Sequence, residues 1–358
     1  MRIVRAVARL EDFPLTRPYA IAGQAPIDRV GNVIVEIETK SGLTGLGAAS
    51  PGEHVTGETI EACLAALSGE GLAWLVGRDA TGLPALCRDA VDRFPLLPAA
   101  RAAVDIALHD LLARRLEVPL VEMLGRAHDA LPTSITIGIK PVDETLAEAD
   151  EYVGRGFRVI KLKIGDSLEV DLERIARLRE GAARTAILRV DANIGYTLPE
   201  TALFFERAAP YGVEFVEQPV TREDFAGVRS LPAAWRARIA ADESLHDEKD
   251  ALALAGPPGD PACGIYNIKL MKCGGVRAAL RIAAIAETAG VALMWGCMDE
   301  SRVSIAAALH AAFASPATRY LDLDGSLDLA RDVVSGGFTL EDGVMRTTNQ
   351  PGLGIRPV

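Results

Sequence analysis

From Asn32 to Thr39 apolar and polar positions alternate, with Val33, Val35 and Ile37 set against Glu36 and Glu38. A period of two is that of a β-strand. Lys40-Ser41-Gly42 then supplies a turn into Leu43 to Ala48, so the segment is predicted to be an antiparallel hairpin. Helical patterns follow over Gly57 to Leu75, Leu83 to Arg93 and the alanine-rich Ala99 to Arg115, the last halted near Val118-Pro119. The chain to about Gly125 therefore reads as an α+β unit. Beyond Leu131-Pro132 the pattern changes to short apolar runs separated by amphipathic helices. The runs are Thr133 to Ile139, Val159 to Ile164, Ala186 to Val190, Val213 to Val216, Arg238 to Ala241, Gly264 to Lys269, Val291 to Trp295 and Arg319 to Leu321. Such alternation predicts parallel strands joined by crossover helices, and eight runs match the strand count of a (β/α)₈ (TIM) barrel. The tail from Ala330 to Val358 carries Gly336-Gly337, Pro351-Gly352 and Gly354 without another βα unit, and is expected to return to the first unit.

Composition narrows the function classes. With 358 residues, 49% of them hydrophobic and 24% charged, the chain suits a large core and excludes disorder. A net charge of -11 leaves no footprint for nucleic acid, and no basic run offers itself to an anionic membrane, so a small molecule is the expected partner. Cys63, Cys87, Cys263, Cys273 and Cys297 are scattered without metal-finger spacing, as free thiols of a reducing compartment would be. Arg2, Arg5 and Arg9 interrupt the apolar residues of the N-terminus, unlike a signal peptide, and Arg277, Arg281 and Glu287 argue against a membrane helix over Val276 to Met298. The expected compartment is the cytoplasm. Oligomeric state is not legible, and a homo-oligomer is left open.

The chemistry begins in the second run, Val159-Ile160-Lys161-Leu162-Lys163-Ile164. On a strand its two lysines point to one side, which in a barrel is the interior. Unpaired buried ammonium groups are costly, so they call for carboxylates, a metal or a substrate nearby; a solvated edge strand explains the spacing equally well. The next strand ends decide between them. Arg189-Val190-Asp191-Ala192-Asn193, Phe215-Val216-Glu217-Gln218-Pro219 and Ala241-Asp242-Glu243-Ser244 each close a run with an acid, at intervals of roughly 25 residues, the length of one βα unit. Any one of them could be a helix cap, but three in succession make a hard oxygen site for Mg²⁺, or Mn²⁺, at the C-terminal mouth of a barrel. No histidine or cysteine joins them, which disfavours zinc. The following run ends in Ile268-Lys269, with Lys272 and Gly274-Gly275 after it, and sets Lys269 across the mouth from Lys163.

The ordered set Lys161-x-Lys163, Asp191-x-Asn193, Glu217-Gln218-Pro219, Asp242-Glu243-Ser244 and Asn267-Ile268-Lys269, with Pro351-Gly352-Leu353-Gly354 near the end, resembles the muconate-lactonizing enzyme subgroup of the enolase superfamily. That resemblance implies an α/β fold: a modified TIM barrel, (β/α)₇β, over residues 126–325. It is capped by an α+β domain from residues 1–125 and completed by 326–358. It further implies that Asp191, Glu217 and Asp242 bind Mg²⁺, that Lys163 and Lys269 are two acid/base groups, and that Lys161 stabilises charge developing on the substrate. A lysine base near neutral pH needs a lowered pKa, which burial beside a metal would provide.

Within the subgroup, two features resemble the dipeptide epimerases. Tyr320-Leu321-Asp322-Leu323-Asp324-Gly325 supplies the two acids that such enzymes set against a substrate's α-ammonium group, and Gly296-Cys297-Met298-Asp299-Glu300-Ser301 resembles the segment after their seventh strand. Thr136, Asn193, Met298 and Asp299 join Asp322 and Asp324 as expected substrate contacts. Epimerases acting on Ala-Glu carry an arginine in the capping loop that here reads Arg17-Pro18-Tyr19-Ala20-Ile21-Ala22-Gly23-Gln24. Neutral Gln24, Asp299 where those enzymes usually carry an apolar residue, and Glu53 in a second capping loop tilt the expected side chain toward Lys or Arg. Gly45-Leu46-Gly47-Ala48 departs from relatives that carry Glu after the second glycine. The expectation is a Mg²⁺-dependent isomerase that inverts the α-carbon of the C-terminal residue of a dipeptide, preferring cationic ones. The alternatives are an L-Ala-D/L-Glu epimerase, an N-acylamino acid racemase, an o-succinylbenzoate synthase or a cycloisomerase. Outside the subgroup stand a Schiff-base aldolase, which needs no metal triad, and a barrel that only binds ligands.

Overall fold

The computed structural model describes residues 1–19 and 27–358. An antiparallel sheet of β1 (Ile3–Tyr19), β2 (Ile27–Thr39) and β3 (Thr44–Ala49) opens the chain. The expected hairpin is β2 and β3, registered from Val33↔Ala49 to Glu38↔Thr44. Strand β1 is an addition, and Arg17 to Tyr19, read as part of a loop, belong to it. Helices α1 (Glu53–Thr56), α2 (Ile60–Leu67), α3 (Leu83–Arg93), α4 (Pro98–Arg115) and α5 (Leu120–Leu124) follow. The single helix predicted over Gly57 to Leu75 is broken: α2 stops at Ser68, and residues 69–75 form a 3₁₀ turn that starts on Gly69 at φ +55°. Gly45 and Gly47 are where β3 meets α4. A Cβ on Gly47 would lie 1.9 Å from the Ala103 carbonyl oxygen, and one on Gly45 2.3 Å from that of Ala107, so close packing of strand on helix accounts for both glycines.

The barrel comes next. Strand β4 (Leu131–Pro132) precedes β5 (Ile135–Ile137), and then strands and helices alternate: α6 (Val142–Gly154), β6 (Val159–Lys163), α7 (Leu168–Glu180), β7 (Ile187–Asp191), α8 (Leu198–Ala208), β8 (Val213–Glu217), α9 (Ala233–Arg236), β9 (Ile239–Ala241), α10 (Glu248–Ala255), β10 (Ile265–Ile268), α11 (Leu270–Cys273), α12 (Val276–Ala289), β11 (Ala292–Gly296), α13 (Arg302–Phe313) and β12 (Thr318–Asp322). Strands β5 to β12 form one parallel sheet in chain order, and Thr133 bridges to Leu321 to draw its two edges together. All eight predicted runs are strands. No crossover helix follows β12, so the barrel is (β/α)₇β, as the resemblance implied and the strand count alone did not. Its floor is packed with Phe215, Ala240, Ile265 and Met294, beside Tyr320. Two residues further along β8, Glu217 shares the inward side with Phe215, which puts acids above an apolar plug.

The tail forms β13 (Val334–Gly336), β14 (Phe338–Glu341), β15 (Val344–Thr347) and β16 (Ile355–Pro357). β15 pairs with β4, Leu329 bridges to Leu15 of β1, and Gly352 bridges to Pro119. This cover explains why α13 is buried on every side from Val303 to Phe313. Among the described residues no helix is long and apolar enough to cross a membrane.

Candidate active site

Parallel register aligns the chemistry. Lys163 is the Cα partner of Asp191, and Asp191 of Glu217, so the ends of β6, β7 and β8 lie level; Asp242 and Lys269 are the residues directly after β9 and β10. β6 and β10 are four places apart in a ring of eight, the widest separation it allows. Lys163 and Lys269 therefore stand on opposite sides of the mouth.

Between them lies a dense ionic cluster. Lys161 Nζ, 3% exposed, is 3.0 Å from Asp191, 2.8 Å from Glu217 and 2.8 Å from Asp322. Lys163 Nζ donates to Asp191 Oδ2 and to Asn193 Oδ1, each at 2.7 Å. Lys269 Nζ donates to Asp242 Oδ2 at 2.8 Å, and Lys272 Nζ donates to the other oxygen of the same carboxylate. Burial alone would raise Asp191, but the Lys161 and Lys163 ammonium groups outweigh it and hold the carboxyl down at about 2. Asp242 is held well below its usual range in the same way, against burial, by Lys269 and Lys272. Glu217 goes the other way. Burial, and then the charge of Asp191, push it up to about 8 despite the ammonium of Lys161. For Lys269, burial favours the neutral amine, yet Asp242 and Glu217 prevail and keep the ammonium above its ordinary range. The carboxylate neighbours of Lys269 thus outweigh the lowering that burial alone would give.

These carboxylates fit a divalent cation. Glu217 Oε2 lies near Lys161 but is not aligned with any hydrogen-bond donor among the described residues, and neither is Glu243 Oε2; both are buried. The other oxygen of each is fixed from behind, Glu217 Oε1 by Asn267 Nδ2 at 2.7 Å and Glu243 Oε1 by Asn193 Nδ2 at 3.2 Å. Buried carboxylate oxygens with open lone pairs, on glutamates pushed up in pKa first by burial and then by neighbouring carboxylates, are what a hard cation would relieve. Gln218 braces the rim, its Oε1 accepting from the backbone N–H groups of Asp242 and Ser244.

Of the remaining predicted residues, Asp322 touches this cluster. Asp322 accepts from Lys161 and from Ser134 Oγ, and Asp324 Oδ2 accepts from the Thr136 backbone N–H at 2.8 Å. Burial and the adjacent Asp322 push Asp324 up to about 7. Met298 is half-buried, and a Cβ on Gly52 would come within 2.7 Å of its Cε, so the segment after β11 touches the turn leading into α1. Asp299 is half-buried, and its carbonyl oxygen accepts from Asn32 Nδ2 and Ser50 Oγ. Glu53 is exposed on α1. Gln24 lies outside the described residues. Lys272, Glu243, Asn267 and Ser134 were given no role from sequence; only Lys272, three residues after Lys269, and the motif residues Glu243 and Asn267 carried any signal of position.

Two family models cover the chain: the N-terminal domain of mandelate racemase / muconate lactonizing enzyme matches residues 4–125, and the enolase C-terminal domain-like model matches 144–358. The chain is 61% identical to an L-Lys-D/L-Arg epimerase of Methylococcus capsulatus over 99% of both chains, and 54% identical to an L-Lys-D/L-Arg epimerase of Desulforapulum autotrophicum over the full length of both. A crystal structure of the dipeptide epimerase from Methylococcus capsulatus, complexed with Mg and the dipeptide L-Arg-D-Lys, superposes with a TM-score of 0.96 at 61% identity over 99% of both chains.

Proposed function

Because the chain belongs to the mandelate racemase / muconate lactonizing enzyme family of the enolase superfamily, we propose that it is a Mg²⁺-dependent dipeptide epimerase that favours cationic dipeptides. The observation that carries this reading is the pair Lys163 and Lys269, set on opposite sides of the barrel mouth with the carboxylate cluster between them. Inverting a carbon by proton transfer needs a base on one face and an acid on the other, and two amines across a cavity supply both.

Asp191, Glu217 and Asp242 would hold the cation. Once bound, it supplies positive charge for the substrate carboxylate and neutralises the carboxylates that otherwise keep the lysines protonated. The neutral amine of one lysine takes the α-proton, the C–H electron pair moves into the carboxylate as an enediolate, and the ammonium of the other lysine delivers its proton to the opposite face. Lys161 Nζ, which also pairs with Asp322 outside the proposed cation ligands, stays cationic throughout and offsets the charge that gathers on oxygen. Asp322 and Asp324 receive the substrate's α-ammonium group, with Thr136 and Asn193 at the sides of the pocket. Met298 and Asp299 are the proposed contacts for the substrate's side chain. Asp299, and Glu53 on its exposed turn, favour a cationic side chain by charge; the names of two L-Lys-D/L-Arg epimerases at 61% and 54% identity and the L-Arg-D-Lys held in the Methylococcus capsulatus structure support the same preference. Five free cysteines suit a reducing compartment, and we assign the activity to the cytoplasm.

The test is a dipeptide panel incubated with protein and Mg²⁺ in D₂O, followed at the α-carbons by NMR. Inversion with deuterium incorporation is expected for Lys- and Arg-containing dipeptides ahead of Ala-Glu, and Lys163→Ala and Lys269→Ala should each abolish it. Turnover of an N-acylamino acid, with no dipeptide exchanged, would move the protein elsewhere in the family.

A further inference from the structure

Helix α7 carries a buried ion pair that the proposed chemistry does not use. Asp171 is fully buried and Arg174 is 1% exposed, and Arg174 Nη2 donates to Asp171 Oδ1 at 2.6 Å. A buried pair of this kind is a poor source of stability, since desolvating two charges costs about as much as their attraction returns. Arg174 is not even saturated: its Nε and Nη1 find no acceptor among the described residues. The groups that the pair does engage are therefore the informative ones.

Both charges reach the backbone at the end of β6. Arg174 Nη2 also donates to the carbonyl oxygen of Lys163 at 2.8 Å, and Asp171 Oδ2 accepts from the backbone N–H of Gly165 at 2.9 Å. The clamp has a third arm. Tyr196 Oη donates to Asp171 Oδ2 at 2.8 Å from the β7–α8 loop, the loop whose Asn193 holds Lys163 Nζ. That loop and the β6–α7 turn meet through two glycines: a Cβ on Gly165 would sit 2.4 Å from the Ala192 carbonyl oxygen, and one on Gly195 2.4 Å from that of Gly165. Asn193 and Ile194 are held at φ +41° and +63° in the same loop, a conformation that a β-branched residue adopts only under external constraint.

Lys269 is supported differently. Its carbonyl oxygen accepts from the backbone N–H groups of Lys272 and Cys273, in the turn it begins itself. One lysine is steadied by local backbone, the other by side chains from a neighbouring helix and loop. We propose that Asp171, Arg174 and Tyr196 are positioning residues for Lys163 alone, setting the reach of one of the two bases. The proposal rests on the two-base reading above.

That asymmetry gives a readout that general loosening would not move. The Haldane relation ties kcat/KM in the two directions to the equilibrium constant, so overall rates cannot expose a defect on one side. Exchange can. If Lys163 is displaced, the epimer whose α-proton faces Lys269 still loses that proton and regains deuterium from the same side, so exchange outruns inversion; from the other epimer both fall together. Arg174→Lys keeps the charge but shortens the reach and loses the planar fork, and Tyr196→Phe removes one arm and leaves the ion pair. Each is followed in D₂O with Mg²⁺ from each pure epimer of a Lys- or Arg-containing dipeptide, beside Leu178→Ala, which weakens the packing of α7 one turn beyond Arg174 and leaves the hydrogen bonds of the clamp in place. The expected result is an exchange-to-inversion ratio raised about 10- to 100-fold from one epimer only in Arg174→Lys, and a few-fold in Tyr196→Phe, with the ratio unchanged in Leu178→Ala. Equal losses from both epimers, or a wild-type ratio in both clamp variants, would overturn the positioning role while leaving epimerisation intact. Absence of any exchange by the wild-type protein would instead remove the two-base reading, and this proposal with it.

Discussion

Replacing Asn267 with leucine tests the cation site from outside the carboxylates themselves. Asn267 is fully buried, and its Nδ2 donates to Glu217 Oε1 at 2.7 Å. Its amide has no room to turn away, because Gly296 lies so close that a Cβ there would stand 2.6 Å from Asn267 Oδ1. Leucine has nearly the same shape, so the perturbation is the loss of one donor to a carboxylate, with little change in volume. Glu217 is pushed up to about 8 by burial and by Asp191, and without the amide its ionised form loses a further source of support. A hydrogen bond to a charged group contributes about 1.5–3 kcal/mol, and about 1.4 kcal/mol is a factor of ten in an equilibrium constant. Asn267→Leu should therefore weaken Mg²⁺ binding by about 10- to 100-fold, the range typical of partners that orient a metal ligand. Isothermal titration of Mg²⁺ into metal-free protein measures this directly, and the Mg²⁺ concentration that half-activates epimerisation should shift with it. The metal-free variant should still melt cooperatively. A folded variant that binds Mg²⁺ within about two-fold of wild type would refute both the role of Asn267 and the placing of the cation on Glu217.

Two further predictions concern stability. His310 lies on α13, accepts the Val121 N–H on Nδ1, and is pushed down by burial to about 3 from an ordinary 6.5. It stays neutral in the folded protein, so its stability is intact above its ordinary value and is lost as pH falls through it; the cost between pH 7 and 5.5 is about 1 kcal/mol. Glu58 and Glu300, both pushed up to about 7 chiefly by burial, lose stability as pH rises and by the same linkage more than offset this, so the measurement is the gap in melting temperature between His310→Asn and wild type. That gap should move in favour of the variant on acidification, and a gap independent of pH would show that His310 takes up a proton while folded. The second compares two glycines: Gly47→Ala, which drives a Cβ into the Ala103 carbonyl, should cost about 3 kcal/mol or more, the upper end for overpacking, whereas Gly42→Ala meets nothing within 4 Å and bears only the strain of φ +80°, about 1–2 kcal/mol. Equal melting temperatures would contradict the close packing of β3 on α4.

The barrel was legible because each strand is short, apolar and capped by a chemically marked residue, so the period of one βα unit shows in Asp191, Glu217, Asp242 and Lys269. Strand β1 was not, since Arg5, Arg9, Glu11 and Asp12 break a strict period of two among apolar residues that range from buried Phe13 to exposed Leu10, and what marks it is cross-strand pairing such as Arg5 with Glu36. The break at Ser68-Gly69 hides inside a run of helix-forming residues. Asp171 and Arg174 illustrate a deeper limit of sequence: α7 also carries Glu169, Glu173, Arg177 and Arg179, and composition does not distinguish the one pair that turns inward. Lys272 was visible only as a charge near Lys269, because its partner, the second oxygen of Asp242, depends on how β9 and α11 meet.

Asp110 ties together parts of the chain that are made far apart in time. Buried in α4, it accepts from the backbone N–H of Leu46 on β3 and from that of Leu353 in the tail, 243 residues later, besides its pairing with Arg114. Until the tail arrives, α4 holds a carboxylate in an apolar setting with part of its hydrogen-bonding capacity open, a state that folding tends to avoid. During synthesis the opening sheet and its helices would therefore wait, incompletely closed, while the whole barrel is translated. A chain built this way commits to its structure late and all at once, and damage confined to its last residues is felt by its first hundred.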